Sequence, residues 1–411
     1  MNQPAVQQHV QMHLKKNLPA YLNLLRQMVA INSFTANPAG VNSLAEFTAK
    51  AFAKLGFQAE TVQSVNPNFG QHLILTKPGA SGRTIGLVSH LDTVFPPEEE
   101  TRHNFVWREA GHRIYGPGTV DIKGGTVEMY MLLDALQQIV PLAYEQITWV
   151  VLLDASEEQG GFDFGELCVD RLGPSVLAAL IFEPGFIVDE AFALVAARKG
   201  MAIYRVTVSG RAAHAGNDHG HGANAIVQLA DTIRQIEAMT DHQHQITFNV
   251  GIVSGGISTN RVPHHAEAYV EMRAFAPAVF EEGIAKMLAL NGQSTVRSVE
   301  GKHPCRVSVE LIRKVAPWPR NRATDRLLNI WQATAESLEM QVIPQERGGL
   351  SDGNFFWEQI PTLDGLGPAG GNMHCSEQSE DGSKEQEYVD ASSLVPKALL
   401  NTMAVLRLVE E

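Results

Sequence analysis

The amino-acid sequence predicts an α/β fold with a mainly parallel sheet, into which a second and smaller domain is inserted. In the first half of the chain, short apolar runs of strand length alternate with helical stretches. Such runs are typical of parallel strands that are buried on both faces. From residue 200 to 314 the strands instead alternate apolar and polar residues, in the order β-α-β-β-α-β. This order indicates a ferredoxin-like domain.

The elements of the first domain follow from the spacing of its apolar residues. Apolar positions at helical spacing, with Gly56 as a suitable end for the second helix, predict helices over 6–30, 43–55, 123–139, 325–339 and 391–408. Short apolar runs predict strands over 72–76, 84–89, 147–153, 178–182 and 361–366. This domain is therefore expected to comprise residues 1–199 and 315–411.

The inserted domain is expected to cover residues 200–314. Its strands are predicted over 201–208, 245–253, 266–273 and 305–313, and its two helices over 222–238 and 277–290. A β-α-β-β-α-β unit of this kind folds as a compact domain of its own.

The composition is that of an ordinary globular protein. Of 411 residues, 44% are hydrophobic and 19% are charged, which is enough apolar material for a core. The 45 acidic residues outnumber the 32 basic ones and give a formal net charge of −13. A chain this acidic lacks the basic surface that binds nucleic acid, and an anionic membrane would repel it. We therefore expect no nucleic acid and no membrane as partners.

The three cysteines, Cys168, Cys305 and Cys375, lie far apart in the sequence. They suggest neither a disulfide scaffold nor a metal site of the Cys-x-x-Cys kind. The N-terminal segment is polar, and no apolar run approaches the ~20 residues that span a bilayer. These features lead us to expect a soluble, cytoplasmic protein.

Acidic side chains and one histidine follow the buried strands of the first domain. The residues concerned are His90, Asp92, Asp121, Glu157, Glu158 and Glu183. Ligand sites in open parallel sheets collect at the carboxyl ends of the strands, so these groups are expected to converge on one crevice. Several carboxylates in one crevice repel one another unless a cation lies between them. Imidazole and carboxylate together suit zinc and its neighbours in the first transition row.

Each of these residues taken alone also has an ordinary structural interpretation. Asp121 can cap the helix that begins at residue 123, and adjacent acids such as Glu157 and Glu158 often form a solvated turn. A His-x-Asp pair after a strand is commonly a polar loop. The occurrence of all of them at successive strand ends favours a metal site over these separate interpretations.

Six short motifs are spread over most of the chain: SHLDTV (89–94), GPGTVDIKGG (116–125), DASEEQGG (154–161), FEPG (182–185), GRAAHAG (210–216) and NMHCSEQSE (372–380). In this order they resemble the dinuclear-zinc amidohydrolases that include glutamate carboxypeptidase, acetylornithine deacetylase and succinyl-diaminopimelate desuccinylase. Within that family the chain is most similar to glutamate carboxypeptidase. The resemblance implies a catalytic α/β domain interrupted by a ferredoxin-like lid or dimerisation domain.

The resemblance also implies a set of metal ligands. His90 and Glu183 would hold one zinc ion. Glu158 and His374 would hold the other, and Asp121 would bridge both, giving two Zn²⁺ per subunit with Co²⁺ as a substitute. Two metal ions ~3.5–4 Å apart polarise an amide carbonyl and bind the hydroxide that attacks it.

The same resemblance assigns roles to three further positions of the first domain. Glu157 would be the general base that takes a proton from the water and returns it to the leaving amine. Asp92 would orient His90. A glutamate at the position of Glu183 is associated, within the family, with carboxypeptidases and deacylases.

The resemblance further implies that three residues of the inserted domain complete the site. Asn260 and Arg273 would bind the carbonyl and the terminal carboxylate of the substrate, since guanidinium pairs with carboxylate through two hydrogen bonds. A surface salt bridge is the alternative for Arg273. His214 would reach the site of a second subunit in a homodimer paired through the inserted domains, where it would donate a hydrogen bond to the oxyanion. The alternatives for His214 are closure of the lid over the site of its own subunit and ordering of its own glycine-rich loop.

The sequence thus leads to a zinc-dependent metallocarboxypeptidase that releases a C-terminal amino acid, in the first place glutamate, from peptidyl or N-acyl substrates. The alternative activity is that of an N-acyl amino acid deacylase of the acetylornithine deacetylase or desuccinylase type. A catalytically silent binding protein on the same fold is disfavoured, because every metal and base position of the family is filled.

Overall fold

The computed structural model describes residues 3–410, which form two compact units. The first unit runs up to Ala196 and includes Arg320–Glu346 and the chain from Ser351 onward. The second unit comprises Ala197–Pro319 and Arg347–Leu350. The sequence analysis sets the boundaries at 199/200 and 314/315 and has no return of the chain to the second unit near residue 347.

The α-helices of the described chain are α1 (Gln3–Val29), α2 (Pro38–Ala53), α3 (Pro97–Arg102), α4 (Lys123–Ile139), α5 (Pro141–Gln146), α6 (Phe162–Leu172), α7 (Ala225–Glu237), α8 (Pro277–Leu288), α9 (Arg322–Ser337) and α10 (Ala391–Glu410). All seven predicted helices are present, with ends shifted by a few residues. The short helices α3 and α5 and the helix α6 were not predicted. Between residues 3 and 410 no helix has the length and apolar character needed to cross a membrane.

The strands are β1 (Gln58–Gln63), β2 (Gln71–Lys77), β3 (Thr84–His90), β4 (Arg108–Ala110), β5 (Arg113–Tyr115), β6 (Thr148–Asp154), β7 (Val176–Ile181), β8 (Phe186–Val188), β9 (Ala191–Arg198), β10 (Gly200–Ser209), β11 (Thr247–Gly255), β12 (His265–Ala274), β13 (Arg306–Val315), β14 (Val342–Arg347), β15 (Thr362–Leu363), β16 (Gly370–Gly371) and β17 (Tyr388–Asp390). Every predicted strand appears among them. Most of the strands missed by the sequence analysis are short or exposed, and neither kind produces an apolar run. Strand β9 is the exception, because it is a mostly apolar run of eight buried residues that the sequence analysis overlooked.

The main sheet of the first unit has the order β1-β2-β6-β3-β7-β15. Strands β6, β3, β7 and β15 are parallel neighbours, as predicted. The expectation that β2 is also parallel is wrong, because β2 runs antiparallel to both β1 and β6. The reason is that an apolar run reports burial on both faces of a strand and carries no information on its direction.

Helix α4 begins two residues after Asp121, and its first turn packs against the end of β7. A Cβ atom at Gly125 would lie 2.0 Å from the carbonyl oxygen of Phe182, so no larger residue fits at this contact without a shift of the backbone. Phe182 directly precedes Glu183. The glycine therefore allows the segment that carries Asp121 to come close to the segment that carries Glu183.

The second unit is a four-stranded antiparallel sheet with the order β11-β12-β10-β13. Helices α7 and α8 contribute to one apolar core with the sheet, around Tyr204, Phe248 and Phe280. This is the β-α-β-β-α-β arrangement that the sequence predicts. Strand β11 forms one edge of the sheet, and most of its residues after Phe248 are exposed.

Candidate metal centre

Two groups of side chains in the first unit have the composition and spacing of metal sites. One consists of His90, Asp121 and Glu183, and the other of Asp121, Glu158 and His374. Within each group, one potential ligand atom from every residue lies within 4.8 Å of the others. These are the five residues that the sequence analysis selects as ligands, and the structure brings them together.

Sheet topology explains why three of these residues meet, and helix α4 accounts for a fourth. His90 ends β3, Glu158 lies in a short turn after β6, and Glu183 follows β7. The strands β6, β3 and β7 are adjacent and parallel, so their carboxyl ends lie at the same edge of the sheet. Asp121 is brought to this edge by the first turn of α4.

The carboxylate of Asp121 lies between the two groups. Its Oδ1 is 3.2 Å from His90 Nε2, and its Oδ2 is 3.4 Å from His374 Nε2. His90 Nε2 is also 3.7 Å from Glu183 Oε1, and His374 Nε2 is 3.3 Å from Glu158 Oε2. Each oxygen of Asp121 therefore faces a different group, which is the geometry of a bridging ligand.

The fifth residue, His374, lies in a loop and does not follow a strand of the main sheet. Its φ angle is +65°, and that of Asn372 is +57°. A left-handed conformation at a residue other than glycine costs about 1–3 kcal/mol and persists only where the surroundings hold it. Pattern analysis alone has no signal for such a residue, and the family motif was needed to find it.

The electrostatics of the cluster favour positive charge. Burial lowers the pKa of His90, but its hydrogen bonds to Asp121 and Asp92 outweigh burial and raise that pKa well above its usual value. Hydrogen bonds to Asp121 and Glu158 raise the pKa of His374 to about 11. Burial opposes ionisation of Asp121, but the two histidines lower its pKa. Without metal ions, protons on both imidazoles therefore offset the repulsion between the crowded carboxylates.

A pair of divalent cations fits this donor set. Glu158 Oε1 is buried and has no hydrogen-bond partner among the described residues, and burial raises the pKa of the Glu158 carboxyl. An unpaired buried carboxylate oxygen is costly unless a cation satisfies it. Histidine and carboxylate ligands in two groups that share one carboxylate suit two zinc-like ions.

Asp92 connects the two strand ends that flank the cluster. The backbone carbonyl of Asp92 is 2.9 Å from His90 Nδ1 and can accept its proton, which leaves Nε2 facing Asp121. The Asp92 carboxylate accepts the backbone N–H of Glu157 at 3.1 Å and that of Glu158 at 3.3 Å. It also accepts the hydroxyl of Thr35 at 2.6 Å. Asp92 thus contacts His90 and also holds the turn that carries the two glutamates, and its role in orienting His90 stays a prediction. The sequence analysis missed Thr35, because nothing near it in the sequence suggests a contact with residue 92.

Glu157 begins the turn that carries Glu158. Burial, together with the charges of Glu183, Glu158 and Asp121, raises the pKa of its carboxyl well above the usual value, against the lowering effect of His90. Glu157 belongs to neither ligand group. Its carboxyl therefore lies beside the two ligand groups without belonging to either. This position suits a general base.

In the second unit, the structure brings His214 close to Asn260. The backbone N–H of Ala215 donates to the carbonyl of Asn260 at 2.9 Å, and His214 forms a β-bridge with Arg261. The Nδ1 atom of His214 accepts the backbone N–H groups of Gly216 and Asn217, at 3.1 and 3.0 Å. Because Nδ1 is an acceptor, Nε2 carries the proton. The exposed ring of His214 thus presents an N–H donor.

Arg273, also in the second unit, already has partners. Its guanidinium forms two hydrogen bonds to Glu271, Nε to Oε1 at 2.6 Å and Nη2 to Oε2 at 3.3 Å. A third bond runs from Nη1 to the carbonyl oxygen of Gly348 at 2.9 Å. A substrate carboxylate at Arg273 would have to compete with Glu271. This pairing favours the salt-bridge alternative for Arg273 and leaves the predicted carboxylate contact to experiment.

Comparison with known proteins agrees with the fold. Residues 196–292 match the family profile M20_dimer, the peptidase dimerisation domain. Aminopeptidase PepT from Bacillus cereus has a similar structure, with a TM-score of 0.76 and 22% identity over 96% of this chain and 99% of that chain. At this identity the similarity bears on the fold alone.

Two characterised relatives are similar in sequence. Carboxypeptidase G2 from Pseudomonas sp. strain RS-16 is 29% identical over 257 residues, which are 62% of this chain and span 60% of the relative's length. Acetylornithine deacetylase from Vibrio atlanticus is 28% identical over 378 residues, 85% of this chain and 90% of that protein. The fold, the paired ligand groups and these relatives define a metal-dependent hydrolase of the peptidase and deacylase class. The chain is similar in fold to M20 peptidases, and its residues 196–292 match the dimerisation domain of that family.

The first prediction concerns metal content. His90→Ala and Glu158→Ala should each bind fewer metal ions than the wild type, because each variant loses a ligand. Glu157→Gln should keep a near-normal metal content, because Glu157 lies outside both ligand groups. Elemental analysis after loading with zinc and removal of excess metal measures the difference. Equal loss of metal in Glu157→Gln and Glu158→Ala would contradict the division between ligand and base.

Proposed function

We propose that the protein is a dinuclear zinc amide hydrolase that releases a C-terminal amino acid, in the first place glutamate, from peptidyl or N-acyl substrates. The observation that carries the proposal is the position of Asp121, with one oxygen toward His90 and the other toward His374. A carboxylate shared in this way supports two metal ions in one site. Glu157, half-buried beside them, supports hydrolysis as the reaction.

The proposed chemistry divides between the metal ions and the chain. When bound, the two ions polarise the amide carbonyl and lower the pKa of a water molecule. Glu157 takes a proton from that water and returns it to the leaving amine. Burial and the neighbouring carboxylates raise the pKa of its carboxyl, which favours its holding the proton between the two transfers. Asp92 and Thr35 hold the turn of Glu157 by the hydrogen bonds described above.

The proposed substrate class is based on two relatives and on one residue, Glu183. Carboxypeptidase G2 is a carboxypeptidase by name and aligns with 62% of the chain, and Glu183 carries the family's association with carboxypeptidases and deacylases. The alternative activity, removal of an N-acyl group from an amino acid, is supported by acetylornithine deacetylase, which aligns with 85% of the chain. All three cysteines are free thiols, as is usual in a reducing compartment, and we propose that the protein acts in the cytoplasm.

We also propose a homodimer that pairs through the second unit. Strand β11 is a sheet edge, and its Ile252 and Val253 are 62% and 57% exposed. On α7, Ile226 and Val227 are 41% and 47% exposed. An apolar edge strand is a template for pairing with another strand, and a second copy offers the same edge, as a two-fold interface requires. The description of the family profile as a dimerisation domain supports this surface.

A hydrolysis screen tests the proposed function. The zinc-loaded protein should cleave members of a library that pairs peptidyl and N-acyl groups with different C-terminal amino acids. Chelation should abolish the cleavage, zinc or cobalt should restore it, and Glu157→Gln should lose about 2–4 orders of magnitude in kcat, the typical contribution of a general base. Preference for the released residue over the acyl group indicates the carboxypeptidase activity, and the reverse preference indicates the deacylase. Full turnover by Glu157→Gln would rule out its role as the base.

The role of Arg273 can be separated from that of a structural salt bridge. If Arg273 binds the terminal carboxylate, Arg273→Ala should raise KM about tenfold or more for carboxylate substrates and change little for the amidated forms, since a charge-assisted hydrogen bond contributes about 1.5–3 kcal/mol. The matched control is Glu271→Gln, which removes the internal partner but keeps the guanidinium. Equal damage by Arg273→Ala to both kinds of substrate would show a structural role.

The assignment of His214 to a neighbouring subunit is tested by complementation. His214→Ala and Glu157→Ala should each be nearly inactive as homodimers. After subunit exchange, each mixed dimer has one site with both groups intact, and random pairing makes half of the dimers mixed. Activity should then recover to about a quarter of that of the wild type.

The control mixture combines Glu157→Ala with His90→Ala. Both changes affect the first unit of their own chain, so no mixed dimer contains an intact site and activity should stay low. Mass spectrometry of differently tagged subunits establishes that exchange is complete. Absence of recovery in the His214→Ala mixture despite exchange would exclude action in trans, and a monomeric active enzyme would exclude the dimer as well.

A further inference from the structure

We propose that the segment Glu385–Glu387, which lies beyond the last motif, positions Asp121 and His374 for metal binding. This inference rests on the proposed function, because it concerns the same two ligand groups. None of the three side chains is itself within a ligand group. They are assigned here as positioning residues, and their effect on the metal ions is expected to pass through the two ligands.

Glu387 holds the backbone of the bridging ligand. Its side chain is fully buried, and its Oε1 accepts the N–H of Val120 at 3.1 Å and that of Asp121 at 3.3 Å. Two N–H groups on one carboxylate oxygen fix the direction in which the chain leaves Val120. Because the helix α4 starts only two residues after Asp121, this anchor and the helix together define where the Asp121 carboxylate points.

Glu385 holds the loop of His374. Its Oε2 accepts the side-chain N–H of Asn372 at 3.0 Å, and its Oε1 accepts the hydroxyl of Tyr115 at 2.6 Å and a guanidinium N–H of Arg113. Asn372 and His374 are both left-handed, a conformation that asparagine and histidine adopt more often than most residues but that still costs free energy. Glu385 thus connects the strained loop to strand β5, which contains Arg113 and Tyr115.

The residue between the two glutamates strengthens the same attachment. The side-chain amide of Gln386 donates to the carbonyl oxygens of Ser376 and His103, at 3.0 and 3.1 Å. The backbone N–H of Glu387 donates to the carbonyl oxygen of Cys375 at 2.8 Å. The chain on the C-terminal side of His374 is therefore held at two consecutive residues, and its N-terminal side is held through Asn372.

A role in stability alone explains Glu387 poorly. Its second oxygen, Oε2, is buried and has no hydrogen-bond partner among residues 3–410. A buried acid with one unsatisfied oxygen is unfavourable for folding. What the carboxylate contributes is the pair of hydrogen bonds at the bridging ligand, and groups that orient metal ligands in this way typically change metal affinity when they are removed.

Metal titration of the full-length apo protein tests the inference. Zinc is added to wild type, Glu387→Ala, Glu387→Gln, Glu385→Ala and the control Glu380→Gln, which removes a charge from an exposed position of the same loop. Binding is followed by calorimetry with a competing chelator, and the melting temperature of each apo protein is recorded. These measurements do not require activity and do not depend on the identity of the substrate.

The two glutamates should give different results. Glu387→Ala should weaken binding of both ions about 10–100-fold, the range for loss of a group that orients a ligand, because Asp121 belongs to both groups. Glu387→Gln keeps an acceptor oxygen and should restore most of the affinity. Glu385→Ala should weaken one of the two binding events and leave the other near the wild-type value, and Glu380→Gln should bind like the wild type.

Each remaining outcome has a definite meaning. Lower apo melting temperatures with unchanged zinc affinities would overturn the inference and leave the segment with a structural role. If Glu387→Ala does not fold, the selective loss in Glu385→Ala decides, and its absence also overturns the inference. If the wild type binds no more than one zinc ion, the proposed dinuclear site fails, whatever the variants do.

Discussion

Repulsion between carboxylates at one edge of the sheet is the constraint on which the rest of the site depends. Asp121, Glu157, Glu158 and Glu183 are close enough to influence one another's ionisation, and like charges at this distance do not coexist without compensation. In the chain alone, compensation comes from protons on His90 and His374, whose pKa values are raised. Two divalent cations would replace those protons. Metal and protons therefore compete for the same positions, and metal affinity falls as the pH is lowered.

The fold meets this constraint by distributing the ligands over different strands. No two ligands are neighbours in sequence, and each is fixed by its own element: His90 by β3, Glu158 by the turn after β6, and Glu183 by the segment after β7. The repulsion is therefore opposed by the whole sheet. Asp92 couples two of these elements directly, because it contacts His90 and also accepts both N–H groups of the glutamate turn. The close packing at Gly125 connects the segment after β7, which carries Glu183, to helix α4.

Local pattern was sufficient to predict the elements that carry most of the site. Helix α4 was predicted over 123–139 and occupies those residues, and the buried strands appear close to their predicted ends. Direction is different, since β2 was predicted to be parallel and is antiparallel. Burial determines the apolar pattern of a strand, but its direction depends on the connection that precedes it, and no residue within the run records that.

The residues that support the ligands could not be predicted from local sequence patterns. Thr35 contacts a residue 57 positions away, and Glu387 contacts the N–H of a residue 266 positions away. A threonine in a loop and a glutamate before a strand are ordinary residues until the fold is known. The family motif supplied His374, but it ends at residue 380 and thus before Glu385. Such residues can be recognised only from the three-dimensional structure, because the role of each residue depends on a partner far away in the chain.

The two ligand groups differ in how firmly the chain holds them. His90 is buried at the end of a central strand, and Glu183 is 12% exposed, so the first group is part of the core. His374 is 52% exposed and lies in a left-handed loop, which the segment Glu385–Glu387 contacts through Asn372 and Cys375. Ordering a loop costs conformational entropy that a strand has already lost on folding. Part of the free energy of metal binding at the second group would therefore be used to order the loop. A metal ion bound at His374 would for this reason be the more weakly held of the two, and the contacts of Glu385 with Asn372, Tyr115 and Arg113 would limit the difference.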